Sequence, residues 1–425
     1  MAIQSEVLVI GGGIAGLMAG ISATRAGASV TVVTASESTL RQASGLIDIL
    51  GYVSRDDGPV MEPLEAFDEL PDDHPYRLVG RAAIESGMAG FDEVGGDLYR
   101  GSSVTRNALI PTAAGTIKPT ARYQVTMEPG LVSDPRDTVI VGFERLPALD
   151  GPLAGAWLSS ADCPFSVHGE TCAFPGEFRT DAAITRFARA LDQNEILETE
   201  DGDQPAREAL AEALRTVVGE AERIGVPAML GLEHPEIVRS TVSDSIGADV
   251  FEIPTGPPSI PGMRLAAKLT RAYQQAGGHF HTGAAVVDFE TDGQRIDRVQ
   301  VDRNDSLVPY EAEEYVLATG GLVGKGIRAS RERVREPIFD CWISQPDDRY
   351  EWFVDDVFGE QPYPRFGVSV DETLRPHDHS GAVEYPNLRA AGSVIGGYDF
   401  GAELSGSGVS IATGWDAGSR AAGGV

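Results

Sequence analysis

The sequence predicts a mixed α/β fold, in which a Rossmann-type nucleotide-binding domain is discontinuous in the chain and a second α/β domain is inserted into it. Three observations lead to this prediction. A strand, a glycine-rich turn and a helix open the chain, helical and strand patterns alternate through its middle, and a helix, a hairpin and a strand follow a Pro-rich break. We place the first domain at 1–60 and 255–425 and the inserted domain at 61–254.

The elements follow from hydrophobic periodicity. The opening βαβ unit is predicted as a strand at 6–10, a turn at 11–16, a helix over 14–25 and a strand at 29–33. The inserted domain is predicted to contain strands at 138–143, 228–232 and 250–253, and helices over 180–191, 206–224 and 235–245. Beyond the break at Pro254–Pro261 we predict a helix over 262–275, strands at 284–290, 295–302 and 315–318, and a last strand at 388–393 before a helix over 409–421.

The charge balance limits the kinds of partner. The chain has 425 residues, with 34 Lys plus Arg against 64 Asp plus Glu, for a formal net charge of −30. This excess of acids excludes a nucleic-acid binder that relies on phosphate contacts. Only three of the 34 basic residues are lysines, which together with the acid excess suggests a halophile, because dense salt screens a like-charged surface. The alternative is an ordinary acidic protein with a GC-rich coding bias.

The cysteines and apolar runs limit metal and membrane chemistry. Cys163, Cys172 and Cys341 show no C-x-x-C spacing, so the chain alone is predicted to hold neither a zinc site nor an iron–sulfur cluster, and any cluster must sit on a partner. The first apolar stretch lacks a basic start and a cleavage site, and no run of about 18 apolar residues predicts a transmembrane span. Any membrane association is therefore expected to be peripheral.

A glycine motif follows the first strand. Gly11, Gly13 and Gly16, with Ala15 between the last two, fit G-x-G-x-x-G at the opening of a helix. Glycines let the backbone approach a phosphate, and the helix N-terminus supplies N–H groups and a positive dipole. The motif predicts a nucleotide or flavin phosphate at this turn, and the alternative is a tight strand–helix packing turn.

The end of the second strand favours one flavin over another. Rossmann sites that hold an adenosine ribose usually place Asp or Glu there, whereas this chain has Thr34 and the nearest acid is Glu37. A missing ribose contact favours FMN over FAD or NAD.

Glycines near the C-terminus complete the predicted flavin site. A strand runs into Gly392 and Ser393, and Gly406, Ser407 and Gly408 precede the last helix. Such a segment brings backbone close to a flat ring and directs a helix N-terminus at its pyrimidine oxygens. Gly320 closes the strand at 315–318, and the loop with Ser44 and Gly45 is predicted to cover the flavin. The alternative is a glycine-lined packing crossing.

Two cations are the predicted catalytic residues. Lys118, in a Gly/Pro/Thr loop, and Arg264, at the start of a helix, are candidates to bind a substrate phosphate or to stabilise reduced flavin. The alternatives are a solvated loop cation for Lys118 and a structural ion pair for Arg264. The histidines are too scattered to predict a metal site.

Several further stretches resemble the B subunits of the anaerobic glycerol-3-phosphate dehydrogenase family. They span nearly the whole chain and include ASGLIDILG at 43–51, HPY at 74–76, GTIKPT at 115–120, REPI at 335–338, FGVSVDETLRP at 366–376 and NLRAAGSVIGG at 387–397. The resemblance implies an FMN-bearing chain, partnered by an FAD-bearing A subunit and by an iron–sulfur C subunit that attaches the complex to the membrane. Where members of the family carry a cysteine, this chain has Glu403-Leu404-Ser405.

The resemblance implies oxidation of sn-glycerol 3-phosphate to dihydroxyacetone phosphate, with electrons passing through flavin and iron–sulfur centres to quinone. The protein is then expected to be cytoplasmic and to reach the membrane through a partner. Two alternatives stay open at this point. One is a non-catalytic FMN protein that only transfers electrons within the complex, and the other is an independent soluble flavin oxidoreductase for another small acid.

Overall fold

The computed structural model describes residues 2–54, 58–101, 106–179, 182–199 and 202–424. The chain divides into two compact units. The first unit contains Met1–Thr39, Asp48–Gly96 and Ala266–Val425, and the second contains Leu40–Ile47 and Asp97–Leu265.

The strands in chain order are β1 (Ile3–Ile10), β2 (Val30–Thr34), β3 (Tyr99–Arg100), β4 (Ala108–Pro111), β5 (Ile117–Thr120), β6 (Tyr123–Gln124), β7 (Thr138–Phe143), β8 (Val167–Cys172), β9 (Ile196–Thr199), β10 (Gly202–Pro205), β11 (Arg223–Pro227), β12 (Asp249–Ile253), β13 (His279–Thr282), β14 (Ala285–Asp292), β15 (Arg295–Arg303), β16 (Ser306–Leu317), β17 (Arg328–Ala329), β18 (Val334–Arg335) and β19 (Leu388–Ala390). The helices in chain order are α1 (Ile14–Arg25), α2 (Pro75–Val79), α3 (Arg81–Gly95), α4 (Gly151–Ser160), α5 (Ile184–Gln193), α6 (Ala206–Arg215), α7 (Pro235–Ile246), α8 (Ile260–Gln275), α9 (Phe400–Glu403) and α10 (Gly406–Gly423).

The first unit is built on a mixed sheet. Its strand order is β13, β2, β1, β16, after which β15 and β14 continue from the first half of β16 and β19 pairs with its second half. β13, β2, β1, β16 and β19 are parallel, whereas β14 and β15 form an antiparallel hairpin. The last four residues of β1 are buried, as expected for a central parallel strand that is covered on both faces.

Helices α1 and α10 pack closely in this unit. Every residue of α1 from Ala15 to Ala23 is buried. A Cβ atom at Gly414 or Gly418 of α10 would lie 2.4 or 2.2 Å from the carbonyl oxygen of Ala15 or Ala19. Only glycine permits backbones to approach so closely, and these two residues therefore fix where α10 crosses α1.

The second unit is built on a four-stranded parallel sheet with strand order β12, β11, β7, β8. Apolar residues of α5, α6 and α7 pack on one face around Val139 and Ile224. Residues of α4 pack on the other face around Ile140 and Phe251. Two covered faces explain why the central strand β7 is an almost continuous apolar run whose six residues are all buried.

Some element boundaries differ from the predicted ones. The helix predicted over 206–224 ends at Arg215, and the strand predicted at 228–232 lies at Arg223–Pro227, where it pairs with both β7 and β12. β16 begins well before 315 because its first half pairs with β15. The predicted start of the helix at 180 lies outside the described residues, and α5 begins at Ile184.

The unit boundaries also differ from the predicted domain boundaries. Residues 61–96 belong to the first unit, because α3 packs on α10 through Gly87 and Gly90. Residues 40–47 belong to the second unit, where the Ile47 backbone pairs with that of Arg122. That the second unit is an inserted domain stays a prediction. Among the described helices, none combines the length and the apolar character that crossing a membrane requires.

Candidate functional site

The glycine turn after β1 closes tightly on the sheet. Gly11 has φ +123°, and a Cβ atom there would lie 2.1 Å from the Ala318 carbonyl oxygen. A Cβ atom at Gly16 would lie 1.9 Å from the Gly11 carbonyl oxygen. Gly13 is different, because its Cβ position meets only the Ser38 hydroxyl, at 3.9 Å. The turn is therefore closed by Gly11 and Gly16 and open at Gly13.

Helix α1 begins at this opening. Gly13 is its N-cap, no side chain caps the helix, and its first turn contains no acidic residue. The first N–H groups of a helix have no partner within the helix, and with the helix dipole they attract an anion. This arrangement fits a phosphate group. Ala15 faces a second glycine segment, because a Cβ atom at Gly392 would lie 2.7 Å from the Ala15 Cβ atom.

The end of β2 lies beside the glycine turn. The Thr34 Cβ atom is 3.2 Å from the position that a Cβ atom at Gly12 would occupy. The Thr34 hydroxyl donates to the Ser36 carbonyl oxygen over 2.9 Å, so this hydroxyl serves the local turn. Glu37, the nearest acid, is exposed. Thr34 offers no carboxylate to a ribose, in line with the sequence analysis.

Two glycine turns lie next to each other beyond β16 and β19. Gly320 has φ +84° and Gly392 has φ +74°. The Ser393 hydroxyl accepts the Gly321 N–H over 3.1 Å, and the Gly392 N–H donates to the Thr413 hydroxyl of α10 over 2.9 Å. The structure therefore brings the predicted residues Gly320, Gly392 and Ser393 together.

The hydroxyl of Thr319, next to Gly320, bears on whether these turns suit a cofactor. Its oxygen is buried and has no hydrogen-bond partner within the described part of the chain. Buried polar groups are nearly always paired, so an unpaired hydroxyl beside Gly320 indicates a group that the protein is built to receive. With the open Gly13 position and the uncapped α1, the residues present fit a flavin.

The N-terminus of α10 is occupied by the protein itself. The Ser407 hydroxyl accepts the Asp48 N–H over 2.7 Å and donates to the Asp48 carbonyl oxygen over 3.2 Å, and the Gly408 N–H donates to the same oxygen. A Cβ atom at Gly408 would lie 2.2 Å from the Tyr76 hydroxyl. Ser407 and Gly408 therefore hold the segment after residue 47. Gly406, the third residue predicted at this helix start, makes no hydrogen bond to Asp48 in the described part of the chain.

A buried network that the sequence analysis did not identify lies before α10. His74 Nδ1 accepts the Tyr76 N–H, so Nε2 carries the proton and donates to Glu403 over 3.1 Å. The Glu403 carboxylate also accepts the Ser405 hydroxyl over 2.9 Å and the Asp399 N–H over 3.0 Å. The network fixes the turn between α9 and α10. His74 and Glu403 lie 329 positions apart, and only the HPY resemblance drew attention to His74.

The remaining predicted residues belong to the second unit. Gly45 has φ +74°, and its carbonyl oxygen accepts the Tyr99 hydroxyl over 2.7 Å, while the Ser44 hydroxyl accepts the Leu46 N–H. Lys118 lies half-buried on β5, opposite Ile110 of β4. The cofactor role of Ser44 and Gly45 and the catalytic role of Lys118 stay predictions.

Arg264 is buried in the second unit and has no donor to spare. Its Nε and one terminal nitrogen donate to the Gly231 carbonyl oxygen, and both terminal nitrogens donate to the Glu252 carboxylate. One of these nitrogens also donates to the Gln124 side-chain oxygen over 3.0 Å. The Arg264 and Glu252 side chains are 2% and 0% exposed. We therefore correct the predicted catalytic role: Arg264 forms the structural ion pair that was its alternative.

The cysteines and acids give little basis for metal chemistry. Among the described residues, no group of three or more His, Cys, Asp or Glu side chains is arranged to hold a metal. Cys163, Cys172 and Cys341 are free thiols. Burial raises the pKa of Cys172 to about 11 and that of Cys341 well above its ordinary value, so both remain protonated at neutral pH.

Comparisons with known proteins point to a flavin-binding family. A family described as FAD binding domain matches residues 6–409. A Halobacterium salinarum protein, named as a probable B subunit of anaerobic glycerol-3-phosphate dehydrogenase, is 51% identical over 422 residues, which cover 99% of each chain. A Pectobacterium carotovorum protein, named as the B subunit of the same enzyme, is 32% identical over 424 residues, which cover 96% of each chain.

Among solved structures, the open conformation of a flavocytochrome c3 fumarate reductase matches 99% of this chain and 78% of its own, with 11% identity and a TM-score of 0.46, too low to support a conclusion. The Halobacterium relative supports the halophile prediction. The matched family model points to FAD, so it does not support the preference for FMN. The cofactor is a flavin, and the chain belongs to the family of anaerobic glycerol-3-phosphate dehydrogenase B subunits.

Proposed function

We propose that this chain acts as the B subunit of an anaerobic glycerol-3-phosphate dehydrogenase. The complex would oxidise sn-glycerol 3-phosphate to dihydroxyacetone phosphate and pass the electrons through flavin and iron–sulfur centres to quinone. The observation that carries the proposal is the 51% identity to a relative of that name over 99% of both chains. The open glycine turn and the unpaired Thr319 hydroxyl support it from the structure.

The residues of the first unit would bind and orient the cofactor. A bound flavin accepts two electrons from a substrate and releases them one at a time. This suits an electron-transfer pathway whose later carriers accept single electrons. The N–H groups at the start of α1 would hold its phosphate, and Gly13 leaves the space for that contact. The glycine turns at Gly320 and Gly392 would let the backbone approach the bound group, and the buried Thr319 hydroxyl would supply a hydrogen bond to it.

The identity of the flavin is the finer part of the proposal. The family model points to FAD. One structural observation favours FMN, because Thr34 stands where a ribose-binding acid is usual and its hydroxyl is used by Ser36. Release of the cofactor by acid, followed by chromatography and mass measurement, separates the two. FAD would require another group, such as Glu37, to meet the adenosine ribose.

Two glycine substitutions, one at the site and one as a control, test the proposed phosphate site. In the Gly13→Ala variant the added Cβ atom meets only a hydroxyl at 3.9 Å, so the fold should tolerate it while the space for the phosphate shrinks. We expect the flavin content of the purified chain to fall at least tenfold, with little change in unfolding temperature. Gly58→Ala is the matched control, because no atom of the described residues lies within 4 Å of its Cβ position. Full flavin content in Gly13→Ala would contradict the proposed phosphate site.

We also propose that the chain works in a complex with an FAD-containing catalytic A subunit and an iron–sulfur C subunit, through which it would reach the membrane. The relatives are named as B subunits, which supports a complex of several chains. An exposed apolar segment, residues 350–363, gives the chain a surface for a partner. Its large apolar side chains include Tyr350, Phe353, Val354, Val357 and Tyr363, and Val357 is 81% exposed.

The apolar segment is an ordered surface. The Gln361 side chain donates to the carbonyl oxygens of Val354 and Asp356, and the Trp352 indole donates to that of Pro346. A folded segment that leaves several large apolar side chains in water is typical of a protein–protein contact. We expect Val357→Asp to abolish co-purification with partner chains and to leave flavin content unchanged. The control is Leu307→Asp, an exposed apolar residue on β16. Undiminished co-purification of Val357→Asp would contradict this surface.

A further inference from the structure

One surface of this acidic chain is strongly basic. Residues 325–335, called here the basic hairpin, contain Lys325, Arg328, Arg331, Arg333 and Arg335 but a single carboxylate, Glu332. β17 and β18 form its two short strands. The whole chain carries 64 acids against 34 basic residues, so this local excess of positive charge runs against the composition.

The two strands place arginines directly opposite each other. Arg328 is the cross-strand partner of Arg335 in the antiparallel pair. Like charges directly opposite on adjacent strands destabilise a sheet. Both side chains are exposed, and within the part of the chain that the structure describes neither makes a hydrogen bond or an ion pair. The same holds for Arg331, whereas Arg333 lies 3.5 Å from Asp340.

The facing arginines line a common cavity. It is a half-open surface pocket with a volume of about 410 Å³. The lining residues are Arg328, Ala329, Ser330, Glu332, Arg333 and Arg335. The lining thus includes three arginines and one glutamate, and the Glu332 carboxylate accepts a hydrogen bond from the Ser330 hydroxyl over 3.0 Å. Because Arg333 already lies 3.5 Å from Asp340, Arg328 and Arg335 are the lining arginines that have no ion-pair partner in the described part of the chain.

The basic hairpin is joined to the flavin site by a short, tightly packed connection. A Cβ atom at Gly326 would lie 2.0 Å from the Gly320 carbonyl oxygen and 2.5 Å from the Thr319 hydroxyl. Arg328 follows Gly326 by two residues. An anion held by the hairpin would therefore lie near the turn that we assign to the cofactor.

We propose that the basic hairpin is a receptor for a phosphate monoester, with Arg328 and Arg335 donating paired N–H groups to the phosphate oxygens. The planar guanidinium group matches the geometry of phosphate oxygens. Two guanidinium groups carry two positive charges, so they match a doubly charged phosphate monoester better than a ligand with a single carboxylate. The identification of this phosphate monoester as glycerol 3-phosphate rests on the proposed function. Free inorganic phosphate carries the same chemistry and is the second source to test.

Calorimetric titration of the full-length, flavin-loaded chain at a fixed KCl concentration tests the receptor. We expect inorganic phosphate and glycerol 3-phosphate to bind and glycerol not to bind. Arg328→Gln and Arg335→Gln should each raise the dissociation constant at least about tenfold, as expected for the loss of charge-assisted hydrogen bonds. Arg271→Gln, at an exposed arginine of α8, is the matched control and should bind as the parent does.

Unfolding of the same variants gives a second readout that a purely structural role would not produce. Without ligand, Arg335→Gln should unfold at the same temperature as the parent or higher, because a like-charge contact is removed. With phosphate added, the parent should be stabilised and the variant should not. A lower unfolding temperature without ligand, or equal phosphate binding in parent and variants, would overturn the receptor.

The two phosphates separate this inference from the proposed function. If inorganic phosphate binds in an Arg335-dependent way but glycerol 3-phosphate does not, the receptor stands and its link to that substrate is overturned. If the variants keep phosphate affinity but lose co-purifying chains, the hairpin binds an acidic partner and the receptor is overturned. Loss of the proposed function would instead appear as absent glycerol 3-phosphate oxidation in the parent complex.

Discussion

Replacing Arg264 with methionine is expected to lower the free energy of unfolding by about 3–5 kcal/mol, the usual cost of removing one partner of a buried ion pair. The change leaves the Glu252 carboxylate, which is 0% exposed, with two donors among the described residues, the Thr126 hydroxyl and the Leu230 N–H. The Gly231 carbonyl oxygen also loses two donors. A typical domain is stable by about 5–15 kcal/mol, so the loss is a large share of the total.

Urea unfolding at constant KCl measures this loss. Arg271→Met is the matched control, because it changes an exposed arginine on the same helix, and its effect should stay within about 0.5 kcal/mol. Replacing Glu252 with leucine in the Arg264→Met background should recover part of the loss, since no buried charge then remains unpaired. If Arg264→Met were as stable as the parent and raised the KM for glycerol 3-phosphate, Arg264 would be a phosphate ligand and our correction would be wrong.

An alkylating reagent should modify Cys163 before the other two cysteines, and intact-mass measurement follows the order. Cys163 is only half-buried, whereas burial raises the pKa of Cys172 to about 11 and keeps Cys341 protonated. Equal rates for all three thiols in the native protein would refute this, and urea-unfolded protein gives the reference rate. Hydrogen bonds from Arg136 lower the pKa of Asp134 from 3.8 to about 2, so its carboxylate stabilises the fold above pH 4 and this contribution disappears as the pH falls toward 2. Asp134→Asn should therefore unfold more easily than the parent by up to about 2 kcal/mol at pH 6, with the difference shrinking below pH 4, and a difference independent of pH would contradict it.

The sequence predicted best the elements whose local pattern and tertiary setting agree. Helix α1 was predicted at its observed bounds, because a strand and a glycine turn mark its start and Gly27 follows its end. The boundary between α6 and β11 was not predicted, because the run from Ile224 to Leu230 is apolar throughout and has no clear period. Its first residues became a strand only by pairing with two other strands.

The candidate site shows the same contrast. Gly11, Gly13 and Gly16 could be identified because their spacing reflects backbone geometry within one turn. The role of Arg264 depends on Glu252 and Gln124, which lie 12 and 140 positions away, and no local pattern reports such contacts. The hydrogen bond between His74 and Glu403 was missed for the same reason, because 329 positions separate the two residues.

The acidic composition makes unpaired arginines informative. With nearly two carboxylates for every basic side chain, an arginine on this surface readily finds a partner, as Arg186 does with Glu195 and Arg239 with Glu236. Concentrated salt weakens such exposed pairs, so the cost of leaving an arginine without a carboxylate is small. An exposed arginine can therefore be kept free at little expense to stability. The arrangement of Arg328 opposite Arg335 departs further from the pairing seen elsewhere on this surface, because it places two like charges on directly opposite strand positions. An anion that binds between them would remove that repulsion.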